Sequence, residues 1–189
     1  MSRRVKQPNT YAFIDSQNLN LGTQRMGWKL DWRKFRQYLG NEHGVTKAYM
    51  FIGYMSENES LYEYMHELGF LVVLKPTVDV NATHDGDQKV TTTAGTNPED
   101  KEKPTVKGNV DAELVLYAMK EMPNYEKAII VSGDGDFFSL AEYLDEKGRL
   151  ACILAPNWQY SSLLKPFESK IIRLDQLRRQ LAYHDRKKK

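Results

Sequence analysis

The sequence predicts an α/β domain, a three-layer doubly wound fold in which a mainly parallel sheet lies between two layers of helices. Short apolar runs alternate along the chain with helical patterns; one of these runs ends directly at an aspartate, and another is followed by an aspartate three residues later. The runs are apolar nearly throughout rather than at every second residue, which is typical of parallel strands covered on both faces. The 189 residues suffice for one such domain with a substantial core.

The predicted strands are apolar runs bounded by turn residues, prolines or acids. They cover residues 11–14, 47–54, 70–74, 128–131 and 150–154, with a short sixth at 171–172. The predicted helices carry apolar residues at a spacing of three and four. They cover residues 32–39, 58–68, 111–122 and 137–147. Asp31 is a candidate N-cap and Gly148 a candidate C-cap.

The chain divides into a domain at residues 9–176 and two basic tails at 1–8 and 177–189. Within the domain, residues 77–106 are polar and too long for an ordinary connection. This segment is interpreted as a mobile insertion, either a plain loop or a lid that faces a substrate.

The net charge of +2 combines two opposed parts. Residues 8–177 hold 18 basic and 24 acidic side chains, a net charge of −6, whereas nine cations lie in the flanking ends. Basic tails attract nucleic acid through phosphate contacts, or they simply keep a protein in solution.

Composition excludes several classes of protein. Cys152 is the only cysteine, so a disulfide within the chain and a cysteine-based metal site are excluded. The mean hydropathy of −0.62 and the absence of a long apolar run argue against a membrane-spanning helix. The N-terminus has no apolar segment of the signal-peptide type, so we expect a cytoplasmic protein. The histidines lack the spacing of a zinc site. The sequence also does not match the EF-hand, P-loop, dinucleotide-binding or serine-hydrolase patterns.

Four aspartates stand where a parallel sheet has its crevice. Asp15 ends the first predicted strand, Asp111 begins a helix, and Asp134 and Asp136 follow the fourth strand. Sites in such sheets lie outside the carboxyl ends of the strands. Carboxylates gathered there repel one another unless a hard cation such as Mg2+ or Mn2+ offsets their charge. Such an ion activates water and holds a phosphoryl oxygen, as phosphodiester hydrolysis requires.

Each aspartate alone also fits a structural role. Asp111 suits the positive end of a helix, Asp136 an N-cap, and Asp134 a turn. The joint pattern, with an apolar strand directly before both Asp15 and Asp134, favours a site.

Three segments around these acids resemble the NYN domain family, in particular its LabA-like branch within the PIN-like nuclease superfamily. They are residues 13–18 (Phe-Ile-Asp-Ser-Gln-Asn), 107–111 (Lys-Gly-Asn-Val-Asp) and 131–137 (Val-Ser-Gly-Asp-Gly-Asp-Phe). Their order and spacing match the family, and the similarity covers about residues 10–175. The long insertion departs from the family pattern.

The resemblance implies a PIN-like sheet of strand order 3-2-1-4-5 and a Mg2+- or Mn2+-dependent ribonuclease. The family's catalytic and metal-binding acids fall on Asp15, Asp111, Asp134 and Asp136. We expect Asp15, Asp134 and Asp111 to hold an ion directly or through water. Asp136 is expected to hold a second ion or to orient the attacking water.

The family's asparagine and serine fall on Asn18 and Ser132, which are expected to bind substrate phosphate or the carboxylates. Lys107 is either a positive charge beside the scissile phosphate or a solvated loop side chain. The expected partner is RNA, single-stranded rather than duplex, because a crevice at strand ends accepts a flexible backbone. Trp28, Trp158 and Tyr160 either stack on bases or pack against helices.

Three functions follow in order of preference. The first is a metal-dependent endoribonuclease. The second is a non-catalytic RNA- or protein-binding module that keeps the acidic pocket. The third, a phosphatase of the haloacid-dehalogenase type, needs a second aspartate where Gln17 stands. The sequence does not decide whether the chain forms a homodimer.

Overall fold

The computed structural model describes residues 8–53, 58–75 and 110–184. In chain order, the strands in these ranges are β1 (Thr10–Asp15), β2 (Val45–Gly53), β3 (Phe70–Lys75), β4 (Lys127–Val131), β5 (Leu150–Ala155) and β6 (Ile171–Arg173). The helices are α1 (Ser16–Arg25), α2 (Trp32–His43), α3 (Glu59–Glu67), α4 (Asp111–Lys120), α5 (Phe138–Glu146) and α6 (Arg178–Leu181). The predicted insertion, Lys107 and most of the predicted N-terminal tail lie outside the described residues.

One parallel sheet of order β3-β2-β1-β4-β5-β6 organises the described residues. The chain first moves outward from β1 to β3 and then returns to β4 beside β1. The strand order therefore switches between β1 and β4, and the crevice of a doubly wound sheet lies at their carboxyl ends. The predicted order is confirmed, and β6 extends it beyond β5.

Alternating strand residues face two separate cores, as the period of two requires. On one face, Ala12 and Ile14 of β1 join apolar residues of α1, α2, α3 and α6. On the other face, Tyr11 and Phe13 pack with α4 and α5. The predicted three-layer architecture is confirmed.

Helix α1 was not predicted from the sequence. Its ten residues are mostly polar, and only Leu19, Gly22 and Thr23 are buried. The apolar period is too weak to detect, and the helix is defined instead by its cap. The Asp15 side chain accepts a hydrogen bond from the Asn18 backbone N–H at 3.0 Å.

The first residues of the predicted C-terminal tail belong to the folded domain. Leu181 of α6 is fully buried, and Ala182 forms an antiparallel bridge with Leu30. These two apolar residues dock the beginning of the segment that the sequence analysis assigned to the basic C-terminal tail. No helix among the described residues has the length and apolar character to cross a bilayer.

Candidate functional site

Asp15 is a carboxylate in an almost fully buried place. It is the last residue of β1, it is 5% exposed, and it caps the N-terminus of α1. One carboxylate oxygen, Oδ1, accepts the Asn18 N–H. The helix terminus also favours a negative charge at this position. The strand and the helix thus fix the side chain at the switch point of the sheet.

Ser132 joins Asp15 to the loop after β4. Its hydroxyl donates to Asp15 Oδ2 at 3.2 Å and accepts the Asp134 N–H at 3.1 Å. Ser132 is 1% exposed, and its bond to Asp15 is buried. The serine that the family resemblance placed at the site therefore connects the two aspartate-bearing segments.

Asn18 makes a second connection between the same segments. Its side-chain carbonyl accepts the Gly133 N–H at 2.9 Å. Since its own N–H binds Asp15, this residue connects β1 and the β4 loop through one turn of helix. A polar network of two carboxylate oxygens, a hydroxyl and an amide therefore holds the end of β1 against the loop after β4.

The environment of Asp15 opposes its charge. Burial raises the pKa of this carboxyl above its usual range, and the negative charges of Asp111 and Asp134 raise it further. The hydrogen bonds from Asn18 and Ser132 act in the opposite direction. Among the described residues, the charges that act on Asp15 are both negative. A cation bound here would relieve that repulsion.

The structure brings three of the four predicted acids into one electrostatic neighbourhood. Asp111, the first residue of α4, and Asp134, after β4, both act on Asp15. The Asp134 side chain also caps a short 3-10 turn, accepting the Asp136 N–H at 3.1 Å. Within the described ranges, however, no three acid, histidine or cysteine side chains gather closely enough to hold a metal ion together.

Asp136 lies apart from this group. Its side chain is exposed, and it is absent from the charges that act on Asp15. Lys107 lies outside the described residues. Asp15, Asn18, Ser132 and Asp134 therefore form one hydrogen-bonded corner, with Asp111 acting on it and Asp136 at its outer side.

Arg25 is a candidate site residue that the sequence did not reveal. It lines a small polar cavity of about 50 Å3 together with Asn18, Gly133 and Tyr160. Asn18 and Arg25 are seven residues apart, so a helix places them on one face. That signal becomes visible only once α1 is recognised as a helix.

The three candidate stacking residues have different surroundings. Trp28 is 6% exposed and packs in a core, so the packing interpretation holds for it. Trp158 is 58% exposed after β5, and Tyr160 lines the small polar cavity beside Asn18. Of the three, only Tyr160 lines a cavity that Asn18 also lines.

Comparison with known proteins supports the motif analysis. The model of the NYN domain matches residues 9–175. The low amplitude and bright protein LabA of Synechococcus elongatus is 22% identical over 170 residues, covering 88% of this chain and 83% of that protein.

The fold also matches a crystal structure, that of a protein of unknown function from Vibrio parahaemolyticus. The two share a TM-score of 0.68 at 19% identity, over 94% of this chain and 98% of the other. At that identity the likeness concerns the fold. The resemblance that the three motifs indicated is confirmed by the family match, and the chain belongs to the NYN domain family, whose members are generally nuclease-like and bind RNA.

Proposed function

We propose that this protein is a metal-dependent endoribonuclease that hydrolyses single-stranded RNA at the corner between β1 and β4. The observation that carries the proposal is the Asp15 carboxylate. It is 5% exposed, its pKa is raised by burial, and Asp111 and Asp134 add like charge to it. A buried acid with acidic neighbours is a costly arrangement even where it caps a helix, and such arrangements cluster at functional sites.

The donor set fits a hard divalent cation. Asp15 and Asp134 supply carboxylate oxygens, and Asp111 adds a third acid on a separate element. Mg2+ commonly keeps several waters and binds through one or two carboxylates together with substrate phosphate. The absence of a three-residue cluster among the described side chains is compatible with that mode, in which water completes the coordination. When bound, the ion would stabilise charge on the phosphoryl oxygens and lower the pKa of a coordinated water.

The remaining residues would position the acids, the substrate or the attacking water rather than take part in bond making. Ser132 and Asn18 hold Asp15 and the β4 loop at fixed separation through bonds of 3.2 and 2.9 Å. Arg25, beside Asn18, is placed to bind an RNA phosphate and to offset the negative field of the acids. Asp136, exposed at the outer side, is suited to orient the attacking water or to hold a second ion.

The test is a cleavage assay on single-stranded RNA and DNA oligonucleotides with Mg2+, Mn2+ or EDTA. We expect RNA cleavage that needs the metal, and a loss of roughly 100- to 10,000-fold in Asp134→Asn, the equivalent of several kcal/mol of transition-state stabilisation. Glu142→Gln, an exposed acid on α5, is the matched control and should cleave like wild type. Equal cleavage by wild type and Asp134→Asn would contradict the proposal.

A non-catalytic RNA-binding module is the second candidate. The absence of a ready three-residue metal cluster in the described ranges favours it. It predicts RNA binding that Asp134→Asn leaves intact, with no metal-stimulated turnover by the wild-type protein.

A further inference from the structure

A wide cavity, here called the basic pocket, lies at the opposite end of α1 from Asp15. It has a volume of about 1020 Å3, and Lys29, Arg178, Arg179 and His184 line it. We propose that the basic pocket binds backbone phosphates of the same RNA strand whose scissile bond lies at Asp15, some nucleotides away. This inference rests on the proposed function, because it concerns the path of that substrate.

The cations of the basic pocket have few internal partners. Lys29 and Arg179 are exposed, and their side chains form no hydrogen bond or ion pair with any described residue. Arg178 donates only to a neutral acceptor, the Gly27 carbonyl, at 3.2 Å. The described residues that line the pocket include no acid. The pocket therefore presents concentrated positive charge that an anionic ligand would neutralise.

The wall of the pocket adds an unpaired donor. Trp28 is 6% exposed, and its indole N–H is buried without an acceptor in the described part of the chain. A buried donor without a partner costs about 1–3 kcal/mol. The pocket is thus rich in donors, in contrast to the acid-rich corner at Asp15.

A groove connects the two ends of α1. It begins at Ser16 and Gln17, directly after Asp15, and has a volume of about 480 Å3. Gln24 and Lys29 line both this groove and the basic pocket, so the two cavities are adjacent. Its walls combine amides with apolar side chains such as Leu21 and Leu61. Those walls suit uncharged bases, whereas the pocket beyond suits phosphate.

The length of α1 sets the span. Its ten residues extend for about 15 Å at ~1.5 Å per residue. A stacked strand advances ~3.4 Å per phosphate, so about four nucleotides cover the distance between Asp15 and the pocket. A dinucleotide cannot occupy both ends, whereas a 12-nucleotide strand can.

The first test measures binding without cleavage. The full chain is titrated into a fluorescein-labelled 12-nucleotide single-stranded RNA in EDTA, and anisotropy is followed over a range of salt concentrations. In Lys29→Ala/Arg179→Ala, the loss of two phosphate contacts should make the plot of log association constant against log salt concentration less steep by about 1.4. Binding should weaken roughly 20-fold at 0.1 M salt.

The control variant is Lys120→Ala/Lys147→Ala. It removes two cations from the ends of α4 and α5, on the other face of the sheet, and should leave both the slope and the affinity within twofold. Unchanged binding in Lys29→Ala/Arg179→Ala, or equal weakening in both double variants, would overturn the inference. If RNA binding is unchanged in Lys29→Ala/Arg179→Ala, the ligand of the basic pocket is an anion other than RNA.

The second test separates binding from chemistry. With Mg2+ or Mn2+, Lys29→Ala/Arg179→Ala should raise KM for the 12-nucleotide RNA, leave kcat unchanged and leave cleavage of a dinucleotide unaffected. A fall in kcat on both substrates would indicate a structural effect and overturn the inference. If the wild-type protein cleaves no RNA, the proposed function fails, while the anisotropy comparison still decides the role of the pocket.

Discussion

The two ends of α1 carry opposite charge in opposite environments. At its N-terminus, Asp15 is 5% exposed and its pKa is raised by burial and by neighbouring acids. Beyond its C-terminus, Lys29 and Arg179 are exposed and face a wide cavity. The helix macrodipole favours a negative charge at the first end, yet burial outweighs that contribution.

The difference concerns what each end needs from its surroundings. Water solvates the exposed cations, so the basic pocket is stable without a ligand. Removing its cations should therefore change the affinity for an anion rather than the stability of the fold. The buried carboxylate has lost water and has acids as its charged neighbours, so a cation would stabilise the folded chain itself. We therefore expect changes at the N-terminal end to alter stability and chemistry together, and changes at the C-terminal end to alter affinity alone.

Gly22→Ala should disturb both ends of α1 because it displaces the whole helix. A Cβ at Gly22 would lie 2.4 Å from Pro156 Cβ and 2.9 Å from Pro156 Cγ, and a proline ring has little freedom to move. Overpacking of this kind costs about 1–3 kcal/mol, and it would shift Asp15, Asn18 and the basic pocket at once. Chemical denaturation should show the loss of stability, and the cleavage assay should show reduced activity.

Gly40→Ala is the matched control for that variant. Gly40 lies inside α2, and its added Cβ would meet only the end of the Arg36 side chain at 3.6 Å. Alanine stabilises a helix interior by about 0.5–1 kcal/mol relative to glycine. If Gly22→Ala were as stable as Gly40→Ala, the docking of α1 on the loop after β5 would not fix the site.

Ser132→Ala should alter the N-terminal end of α1 and leave the basic pocket unchanged. It removes the hydroxyl that donates to Asp15 Oδ2 and accepts the Asp134 N–H. Leaving a buried carboxylate oxygen without its donor should lower the free energy of unfolding by about 1–2 kcal/mol at neutral pH. Since that bond lowers the Asp15 pKa, its loss should also raise the pKa further.

The measurement is urea denaturation together with RNA anisotropy in EDTA. Affinity for RNA at the basic pocket should stay near that of wild type while stability falls. Ser139→Ala, at an exposed serine on α5, serves as control. Equal stability of Ser132→Ala and wild type would show that the network at the corner is not a source of folding energy.

Much of the fold follows from local sequence, and the reason is that buried parallel strands leave a strong signal. The runs at β1, β4 and β5 are apolar nearly throughout, and Asp15 and Asp134 stand at or just after a strand end. The order of the strands then placed these acids at one edge. Helix α1 escaped detection because its buried face is small, being formed by Leu19, Gly22 and Thr23.

The basic pocket could not be predicted for a different reason. Lys29 and Arg179 are distant in sequence, and neither stands in a motif. Their proximity depends on the bridge between Leu30 and Ala182, which docks a segment whose composition predicted a tail. Bridges of that kind depend on tertiary packing that no local pattern encodes.

Asp15→Asn gives the smallest effect on stability and the one whose sign is most informative. The Asp15 pKa is raised in the folded chain, so between its unfolded value, near 3.9, and its folded value the native state binds more protons. Stability therefore falls as pH rises through this window, and at neutral pH the wild type carries the full penalty. Asn lacks the charge but keeps an acceptor for the Asn18 N–H.

Without metal, thermal melts should place the melting temperature of Asp15→Asn above that of the wild type at pH 7, with the difference closing near pH 4. Adding Mg2+ should raise the melting temperature of the wild type and not of the variant, since the repulsion of Asp15 by Asp111 and Asp134 exists only in the wild type. If Asp15→Asn instead melted below wild type at neutral pH in EDTA, the carboxylate would be stabilised by its hydrogen bonds and the helix terminus rather than opposed by burial, and the main argument for a cation at this corner would be lost.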